Sequence, residues 1–265
     1  MVRRPLGNHH DGPDTPLVTS DATQTELVAA RSEKPAEELT RLIRNVRVVL
    51  WDFDGPICRV FASRSAQTVT DGLVGWLESR GLRGVLTEVE RNSPDPQVVL
   101  RSVDRRHPCS DLVFALEERL SSEELRAVET AMPTAYADIL IQTWRARGVH
   151  LAVTTNNSPR AVRAYLDVRG LTHCFAPHIY GRTQDLHRLK PDPHCLNRAL
   201  NAIGAASDTT LMIGDSPSDL EAARRAGVSF LGYAGNGRNA KLLTAAGAAY
   251  VVASLQPLLE VLRQW

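Results

Sequence analysis

The stretch VRVVLWDFDGPI, from Val46 to Ile57, decides the fold of this chain. It begins with an apolar, valine-rich run and ends in the turn-forming pair Gly55-Pro56. Such a run is typical of a buried parallel strand, and open α/β sheets bind ligands just past the carboxyl ends of their strands. Asp52 and Asp54 stand at that end, so both carboxylates face one crevice if the extended backbone continues. An ordinary acidic turn explains the segment equally well, and the rest of the chain must decide.

Strand and helix patterns alternate in the second half of the chain. The predicted strands are Val149–Thr155, His178–Gly181, Thr209–Gly214, Val228–Tyr233 and Tyr250–Val252. A helical pattern follows each of these strands or the loop after it. The alternation predicts an α/β fold, with a Rossmann-like, mostly parallel sheet and helices on both faces.

A long helical stretch separates the first strand from this alternating region. The predicted helices within it are Ala62–Arg80, Pro96–Arg106, Ser110–Leu120 and Ser122–Arg147, the last broken or kinked at Pro133. Connections in α/β units are usually about 2–6 residues long, so we interpret the insertion as a helical cap domain. The predicted organisation is a core at residues 35–58 and 148–265 and a cap at 59–147. Residues 1–34, rich in Pro, Asp, Thr, Gly and Ser, predict a disordered tail.

Composition excludes several classes of partner. The formal net charge of +1 gives no electrostatic reason to bind nucleic acid or an anionic membrane surface. No apolar run in the sequence is long enough to cross a bilayer. The four cysteines are scattered and form no CxxC pair, which favours reduced thiols over a zinc site or a disulfide framework. We therefore expect a cytoplasmic protein. Separately from composition, we expect a monomer or homodimer that acts on a small molecule.

Three of the predicted strands end in polar residues that a parallel sheet brings to one edge. These residues are Asp52 and Asp54, Thr155 and Asn156, and Asp215 and Asp219. Two carboxylates about 4 Å apart repel by about 4 kcal/mol at an effective dielectric of about 20, so such a cluster requires positive charge. Lys190, in the segment LKPDP, supplies one charge and a divalent cation supplies two. Oxygen ligands suit Mg²⁺, which keeps several waters and is commonly completed by a substrate phosphate.

Helix starts add anion-binding groups to this edge. The segments Asn157-Ser158-Pro159 and Ser216-Pro217 each open a helix directly after a strand, where free backbone N–H groups bind anions. Each segment alone is also explained by a turn, a helix cap or an exposed lysine. Together, carboxylates, a lysine and N–H donors are the groups that phosphoryl transfer needs. Their joint occurrence in this order favours a site.

These residues resemble the motifs of a known family. The segments, in chain order, are Asp52-Phe53-Asp54-Gly55, Thr155-Asn156, Lys190-Pro191 and Gly214-Asp215 with Asp219. The set resembles the haloacid dehalogenase-like (HAD) hydrolase superfamily, and is most similar to its phosphoglycolate phosphatase-like branch. The resemblance implies a Rossmann-like core with a mobile cap, and a helical insertion at this position is similar to the C1 cap class. Pro56 stands where many members have Thr or Val, and it predicts an altered flap geometry.

The resemblance also implies a role for each matching residue. Asp52 is expected to be the nucleophile that forms an aspartyl-phosphate, and Asp54 the general acid and base. The implied Mg²⁺ ligands are the Asp52 and Asp215 side chains and the Asp54 backbone carbonyl. Thr155, Asn156 and Lys190 are expected to contact the phosphoryl group. Asp219 is expected to orient the metal shell or Lys190.

The predicted function is Mg²⁺-dependent hydrolysis of a small phosphorylated metabolite. Asp54 argues against carbon–halogen hydrolysis, because the dehalogenase branch lacks an acid at that position. A sugar phosphomutase and a non-catalytic binding or regulatory protein on the same scaffold remain alternatives. Basic residues of the insertion could meet a second anionic group, but solvated helix positions explain them more simply, so they are not part of the predicted site. These residues are Arg64, Arg101, Arg105, Arg106 and His107.

Overall fold

The strands of the computed structural model form one large sheet and one small one. Within the described residues, 37–63 and 65–264, the strands are β1 (Val48–Trp51), β2 (Cys58–Arg59), β3 (Met132–Pro133), β4 (His150–Thr154), β5 (Ile179–Tyr180), β6 (Thr210–Gly214), β7 (Ser229–Tyr233) and β8 (Val251–Val252). Six of them form a sheet in the order β5-β4-β1-β6-β7-β8, and each neighbouring pair in it is parallel. The tail predicted at residues 1–34 lies outside the described residues.

Helices cover both faces of the large sheet. The helices that lie wholly within the described residues are α1 (Ala66–Glu78), α2 (Glu88–Arg91), α3 (Pro96–Arg106), α4 (Asp111–Val128), α5 (Ala137–Ala146), α6 (Pro159–Val168), α7 (Thr172–Phe175), α8 (His194–Ile203), α9 (Pro217–Ala226), α10 (Gly237–Ala245) and α11 (Gln256–Arg263). The predicted α/β, Rossmann-like fold with a mostly parallel sheet is confirmed. Among the described helices, none is long and apolar enough to pass through a membrane.

Strand β1 lies in the middle of the sheet, which explains its continuous apolar sequence. All four of its residues are buried, and successive side chains point to opposite faces. Val49 and Trp51 pack into one hydrophobic cluster, and Val48 and Leu50 pack into the cluster on the other face. Because β1 is hydrogen bonded between β4 and β6, the residues that follow these three strands meet at one edge of the sheet.

The predicted insertion contains helices that pack in two different places. Helices α1 and α3 and the first part of α4 form a separate hydrophobic cluster, which includes Leu73, Val99 and Leu116. Helix α5 instead joins the cluster of the sheet, where Trp144 meets Trp51 edge to face with ring centroids 5.8 Å apart. The cap boundaries at 59–147 stay a prediction, and α5 shares the core packing although it lies within them.

The predicted boundary between two helices at Leu120 and Ser122 is wrong. Helix α4 continues through Ser121 and Ser122, because the Ser121 hydroxyl bonds to Glu117 and the Ser122 hydroxyl donates to the Glu118 carbonyl within the same helix. Neither hydroxyl is therefore used to start a new helix. The predicted break near Pro133 is present: the helix ends at Val128, the chain at Pro133 forms the short strand β3, and the next helix begins at Ala137. This strand pairs antiparallel with β2, a pairing between distant segments that local periodicity does not predict.

Candidate active site

Lys190 is a buried lysine that lies among the predicted acidic residues. Its side chain is only 2% exposed, and its Nζ donates to Asp52 Oδ1 at 2.8 Å and to the Thr154 carbonyl at 2.9 Å. The same Nζ lies 2.5 Å from Asp219 Oδ1. Three segments that are far apart in sequence therefore meet at one ammonium group.

Three carboxyl groups at this edge hold their protons more tightly than usual. Burial, followed by repulsion from neighbouring carboxylates, raises the pKa of Asp52 to about 6 and that of Asp215 to about 9. Burial likewise raises the pKa of Asp54 to about 7. Burial opposes the charge of Lys190, but the carboxylates of Asp219 and Asp52 raise its pKa well above the ordinary value. One ammonium group thus does not offset the negative charge of the cluster.

Two glycines permit the close approach of the acidic residues. A Cβ at Gly55, whose φ is +108°, would lie 2.5 Å from Asp215 Oδ2. A Cβ at Gly214 would lie 2.5 Å from the Cβ of Asp219. A real Cβ atom does not approach a neighbouring atom this closely, so a side chain at position 55 would displace Asp215 and one at position 214 would displace Asp219. The Asp-Gly and Gly-Asp pairs of the two motifs therefore have a steric reason.

Both carboxylate oxygens of Asp219 are bound to neighbouring groups of the protein. Its Oδ2 accepts hydrogen bonds from the backbone N–H of Asp215 at 3.1 Å, the N–H of Ser216 at 3.1 Å and the Ser216 hydroxyl at 2.8 Å. Its Oδ1 forms the ion pair with Lys190. Asp219 thus contacts both the turn that carries Asp215 and the lysine, and its orienting role stays a prediction.

The remaining carboxylates suit a hard divalent cation. Carboxylate oxygens of Asp52, Asp215 and Asp219 lie within 4.8 Å of one another. Because Asp219 is committed to Lys190 and the turn, Asp52 and Asp215 are the side chains best suited to hold Mg²⁺. The Asp54 side chain is fixed by the backbone N–H of Val60, which donates to Oδ1 at 2.8 Å. The Asp54 carbonyl stays the predicted third protein ligand.

The loop after β4 is held tightly by side-chain hydrogen bonds. Asn156 Oδ1 accepts from the Lys190 N–H at 2.8 Å, and Asn156 Nδ2 donates to the Lys190 carbonyl at 3.1 Å. The Thr155 hydroxyl donates to Asn157 Oδ1 at 3.0 Å and accepts from the Asn157 N–H at 3.2 Å. Asn156 therefore positions Lys190, and a phosphoryl contact by the Thr155 hydroxyl requires that it turn away from Asn157.

A cavity of about 410 Å³ opens at this edge of the sheet. Six of the seven predicted site residues line it: Asp52, Asp54, Asn156, Lys190, Asp215 and Asp219. The structure adds Asn157 and Ser216 from the loops, Pro217 and Ser218 from the start of α9, and Asp95, Gln97 and Arg101 from the insertion. A larger cavity of about 620 Å³ lies at the opposite end of β1 and β4, lined by residues 44–47 and 147–150, away from the carboxylates. The converging carboxylates and the buried lysine, rather than volume, identify the site.

The basic residues of the insertion separate into two groups. Arg101 lines the cavity, and its Nη2 donates to the Lys190 carbonyl at 2.9 Å. Arg105 and Arg106 instead form ion pairs with Glu90. Arg64 lies outside the described residues. The sequence carried one signal for this wall of the cavity, the Asp95-Pro96 pair, because Asp95 caps the start of α3.

The sequence as a whole matches a known family. A family model described as haloacid dehalogenase-like hydrolase matches residues 46–227, which is more than half of the chain. The chain belongs to the haloacid dehalogenase-like hydrolase family. The resemblance predicted from the four motifs is thus confirmed, and the matched range of this HAD chain includes all seven predicted site residues.

Curated relatives of the HAD chain include several phosphatases. The phosphoglycolate phosphatase of Rhodospirillum rubrum is 39% identical over 89 residues, which cover 34% of this chain and 36% of that protein. The pyrophosphatase PpaX of Halalkalibacterium halodurans is 29% identical over 123 residues, which cover 46% of this chain and 55% of that protein. The matches thus span about a third to a half of these relatives. They support the phosphoglycolate phosphatase-like branch.

Solved structures match the HAD chain over most of its length. CbbY from Rhodobacter sphaeroides, in complex with phosphate, aligns with a TM-score of 0.61 at 20% identity and covers 82% of this chain and 99% of its own. A HAD family hydrolase from Deinococcus radiodurans, with bound phosphate and sodium, aligns with a TM-score of 0.54 at 25% identity. That match covers 83% of this chain and 96% of the other. The fold is therefore that of HAD hydrolases.

Proposed function

We propose that this HAD chain is a Mg²⁺-dependent phosphomonoester hydrolase that acts on a small phosphorylated metabolite through an aspartyl-phosphate at Asp52. The observation that carries the proposal is the buried ion-pair cluster in which Lys190 Nζ lies 2.8 Å from Asp52 Oδ1 and 2.5 Å from Asp219 Oδ1. This cluster lines a cavity together with Asp54 and Asp215. The phosphatase names of the relatives and the phosphate bound to two structural neighbours support the same chemistry.

The charge of the site explains how it would accept an anionic substrate. The Asp52 and Asp215 carboxylates and the Asp54 carbonyl would hold Mg²⁺. When bound, the ion offsets negative charge on the transferring phosphoryl group. Lys190 adds a second positive charge at the nucleophile, where Asp219 keeps its ammonium group in place. The positive charges of Mg²⁺ and Lys190 would together allow this carboxylate-rich pocket to bind a phosphate.

The proposed reaction has two steps, and each conserves atoms and charge. Asp52 attacks phosphorus, the bond from phosphorus to the ester oxygen breaks, and Asp54 gives its proton to the departing oxygen. Water then attacks the aspartyl-phosphate, Asp54 takes a proton from that water, and inorganic phosphate leaves with Asp52 restored. The Val60 N–H bond to Asp54 Oδ1 holds this carboxyl group in one orientation throughout.

The loop after β4 would bind the phosphoryl oxygens. Asn156 lines the cavity, and its side chain also fixes the Lys190 backbone from both sides. We infer that Asn156 acts mainly by positioning Lys190. Thr155 would contact phosphate only after its hydroxyl releases Asn157.

The deciding experiment measures inorganic phosphate release from a panel of small phosphorylated metabolites, with and without Mg²⁺. Asp52→Asn should lose most of the metal-dependent turnover while it keeps the fold by circular dichroism. Asp208→Asn, at an exposed position before β6, is the matched control and should keep full activity. Full activity in Asp52→Asn would remove it as the nucleophile. Transfer of phosphate within a sugar without phosphate release would favour the phosphomutase alternative.

A further inference from the structure

A buried ion pair joins helix α4 to the loop after β5, and both of its side chains contact the loop after β4. The Arg182 side chain is fully buried and that of Glu124 is 1% exposed. Their contact is bidentate, with Arg182 Nη1 donating to Glu124 Oε1 and Nη2 to Oε2, each at 2.9 Å. Arg182 also donates to Glu117 Oε1 at 3.0 Å, to Ser121 Oγ at 3.0 Å and to the Asn156 carbonyl at 2.9 Å. An arginine has five N–H bonds to give, and all five are used here.

Glu124 holds the same loop from a second direction. Besides Arg182, its Oε1 accepts from Asn157 Nδ2 at 3.0 Å, and its Oε2 accepts from the Ser158 N–H at 2.9 Å. Three consecutive loop residues, 156–158, are therefore each fixed by this pair. Asn157 Oδ1 in turn accepts a hydrogen bond from the Thr155 hydroxyl. The pair thus also holds Asn157, the residue that the Thr155 hydroxyl must release before it can donate to phosphate.

The network connects segments that are distant in the chain. Glu117, Ser121 and Glu124 are spaced four and three residues apart, so they lie on one face of α4. Arg182 follows β5 and precedes Lys190 by a short loop. The Arg182–Glu124 pair consequently connects a helix of the insertion, the loop after β4 and the loop that carries Lys190.

Stability alone does not explain a buried pair of this kind. Replacing a buried ion pair by apolar side chains of similar volume is often neutral or stabilising, because desolvation of the charges offsets their attraction. A fully satisfied polar network does fix a unique geometry, because each donor has one partner. What the Arg182–Glu124 pair supplies is therefore the orientation of the loop.

We propose that Arg182 and Glu124 are positioning residues that hold the loop at 156–158, so that Asn156 lines the cavity and keeps Lys190 in place for a phosphoryl group. Neither residue belongs to the lining of the cavity, so both act through the loop. This inference rests on the proposed phosphatase function and goes beyond it, because it makes phosphate binding depend on a helix of the insertion.

The test measures inorganic phosphate binding by calorimetry in the presence of Mg²⁺, on the full chain at a temperature where each variant is folded. In Arg182→Met, and in Glu124→Gln, the dissociation constant for phosphate should rise about ten- to a hundredfold, the effect of misplacing one or two hydrogen bonds to a charged group. KM should rise with it, whereas Mg²⁺ affinity should stay unchanged. Arg182→Lys keeps the charge but loses the bidentate contact, and should recover only part of the affinity.

The matched control removes a surface ion pair on the same helix, α4. Arg160 of α6 pairs with Glu118 of α4 at 2.6 Å, with both side chains exposed. Arg160→Met should leave phosphate binding unchanged. Amide hydrogen exchange in the peptide that contains Asn157 and Ser158 should become faster in Arg182→Met, but not in Arg160→Met. This readout is independent of activity.

The outcomes separate this inference from the proposed function. If the wild-type protein binds phosphate and Arg182→Met binds it equally well with unchanged loop exchange, the positioning role is wrong and the phosphatase proposal stands. If the wild-type protein neither binds nor releases phosphate, both proposals are wrong. If Arg182→Met does not fold, Glu124→Gln and Arg182→Lys decide, and wild-type phosphate affinity in both overturns the inference.

Discussion

Lys190 Nζ and Asp52 Oδ1 lie 2.8 Å apart although the two residues are separated by 138 positions in the chain. The contact is buried, and the same Nζ also lies 2.5 Å from Asp219 Oδ1. Since the charges are removed from water, each depends on the others for its ionised state. This relationship leads to the first prediction.

Lys190→Met should abolish most of the activity. Removing the cation leaves Asp52 and Asp219 without their partner and removes positive charge from the phosphoryl group, which we expect to lower kcat about 10²–10³-fold. Steady-state phosphate release measures the effect. Lys241→Met, at an exposed position in α10, should behave like the wild type. Equal loss in both variants would contradict the assignment.

Gly55→Ala should weaken metal binding. The new Cβ would lie 2.5 Å from Asp215 Oδ2, so the carboxylate must move away from the site. Gly81→Ala is a close control, because Gly81 also has a positive φ, of +75°, but has open space around its Cβ. Calorimetric titration with Mg²⁺ should show weaker binding for Gly55→Ala alone. Equal binding by the two variants would show that Asp215 tolerates displacement.

The metal-free protein should lose stability as the pH rises. Folding raises the pKa of Asp215 from 3.8 to about 9, so the folded state binds a proton that the unfolded state has released. The free energy of unfolding therefore falls with increasing pH between about 4 and 9. Asp52 and Asp54, with pKa values of about 6 and 7, act in the same direction in the lower part of this window.

Mg²⁺ should reverse this trend and release protons on binding, because the ion takes the place of the protons on the carboxylates. Thermal unfolding in EDTA at pH 6 and pH 8.5, repeated with Mg²⁺, measures the first effect. Calorimetry in buffers of different ionisation enthalpy measures the second. A melting temperature in EDTA that rises with pH would be inconsistent with the raised pKa values.

Arg182→Met should destabilise the protein strongly, and a second substitution should restore part of the loss. Breaking a buried pair by removing one partner costs about 3–5 kcal/mol, because Glu124 keeps an uncompensated buried charge. In Arg182→Met with Glu124→Leu, that charge is gone, so stability should partly return. Urea unfolding of the single and double variants measures the difference. Additive losses in the double variant would contradict this account of the pair.

Local sequence patterns predicted the central strand β1 and the alternating strands and helices that follow the insertion. The apolar run at β1 and the strand and helix alternation after residue 148 are present as expected, since each strand between two helical layers must be apolar on both faces. The pairing of β2 with β3, and the passage of α4 through Ser121 and Ser122, were not predicted. Both depend on partners that periodicity does not contain: a distant strand, and acceptors that satisfy the hydroxyls within the helix.

The sequence by itself determined where acidic residues and helix starts follow the strands, because apolar runs, turn residues and helix caps are local properties of the chain. Tertiary structure decided which partner each of these groups contacts. It assigned Asp219 to Lys190 and to its own turn, and Asn156 to the backbone of Lys190. It also brought Arg182 to Glu124. The reason is that ion pairs and hydrogen bonds form between atoms that folding brings together, and separation along the chain does not reveal which partner each will take.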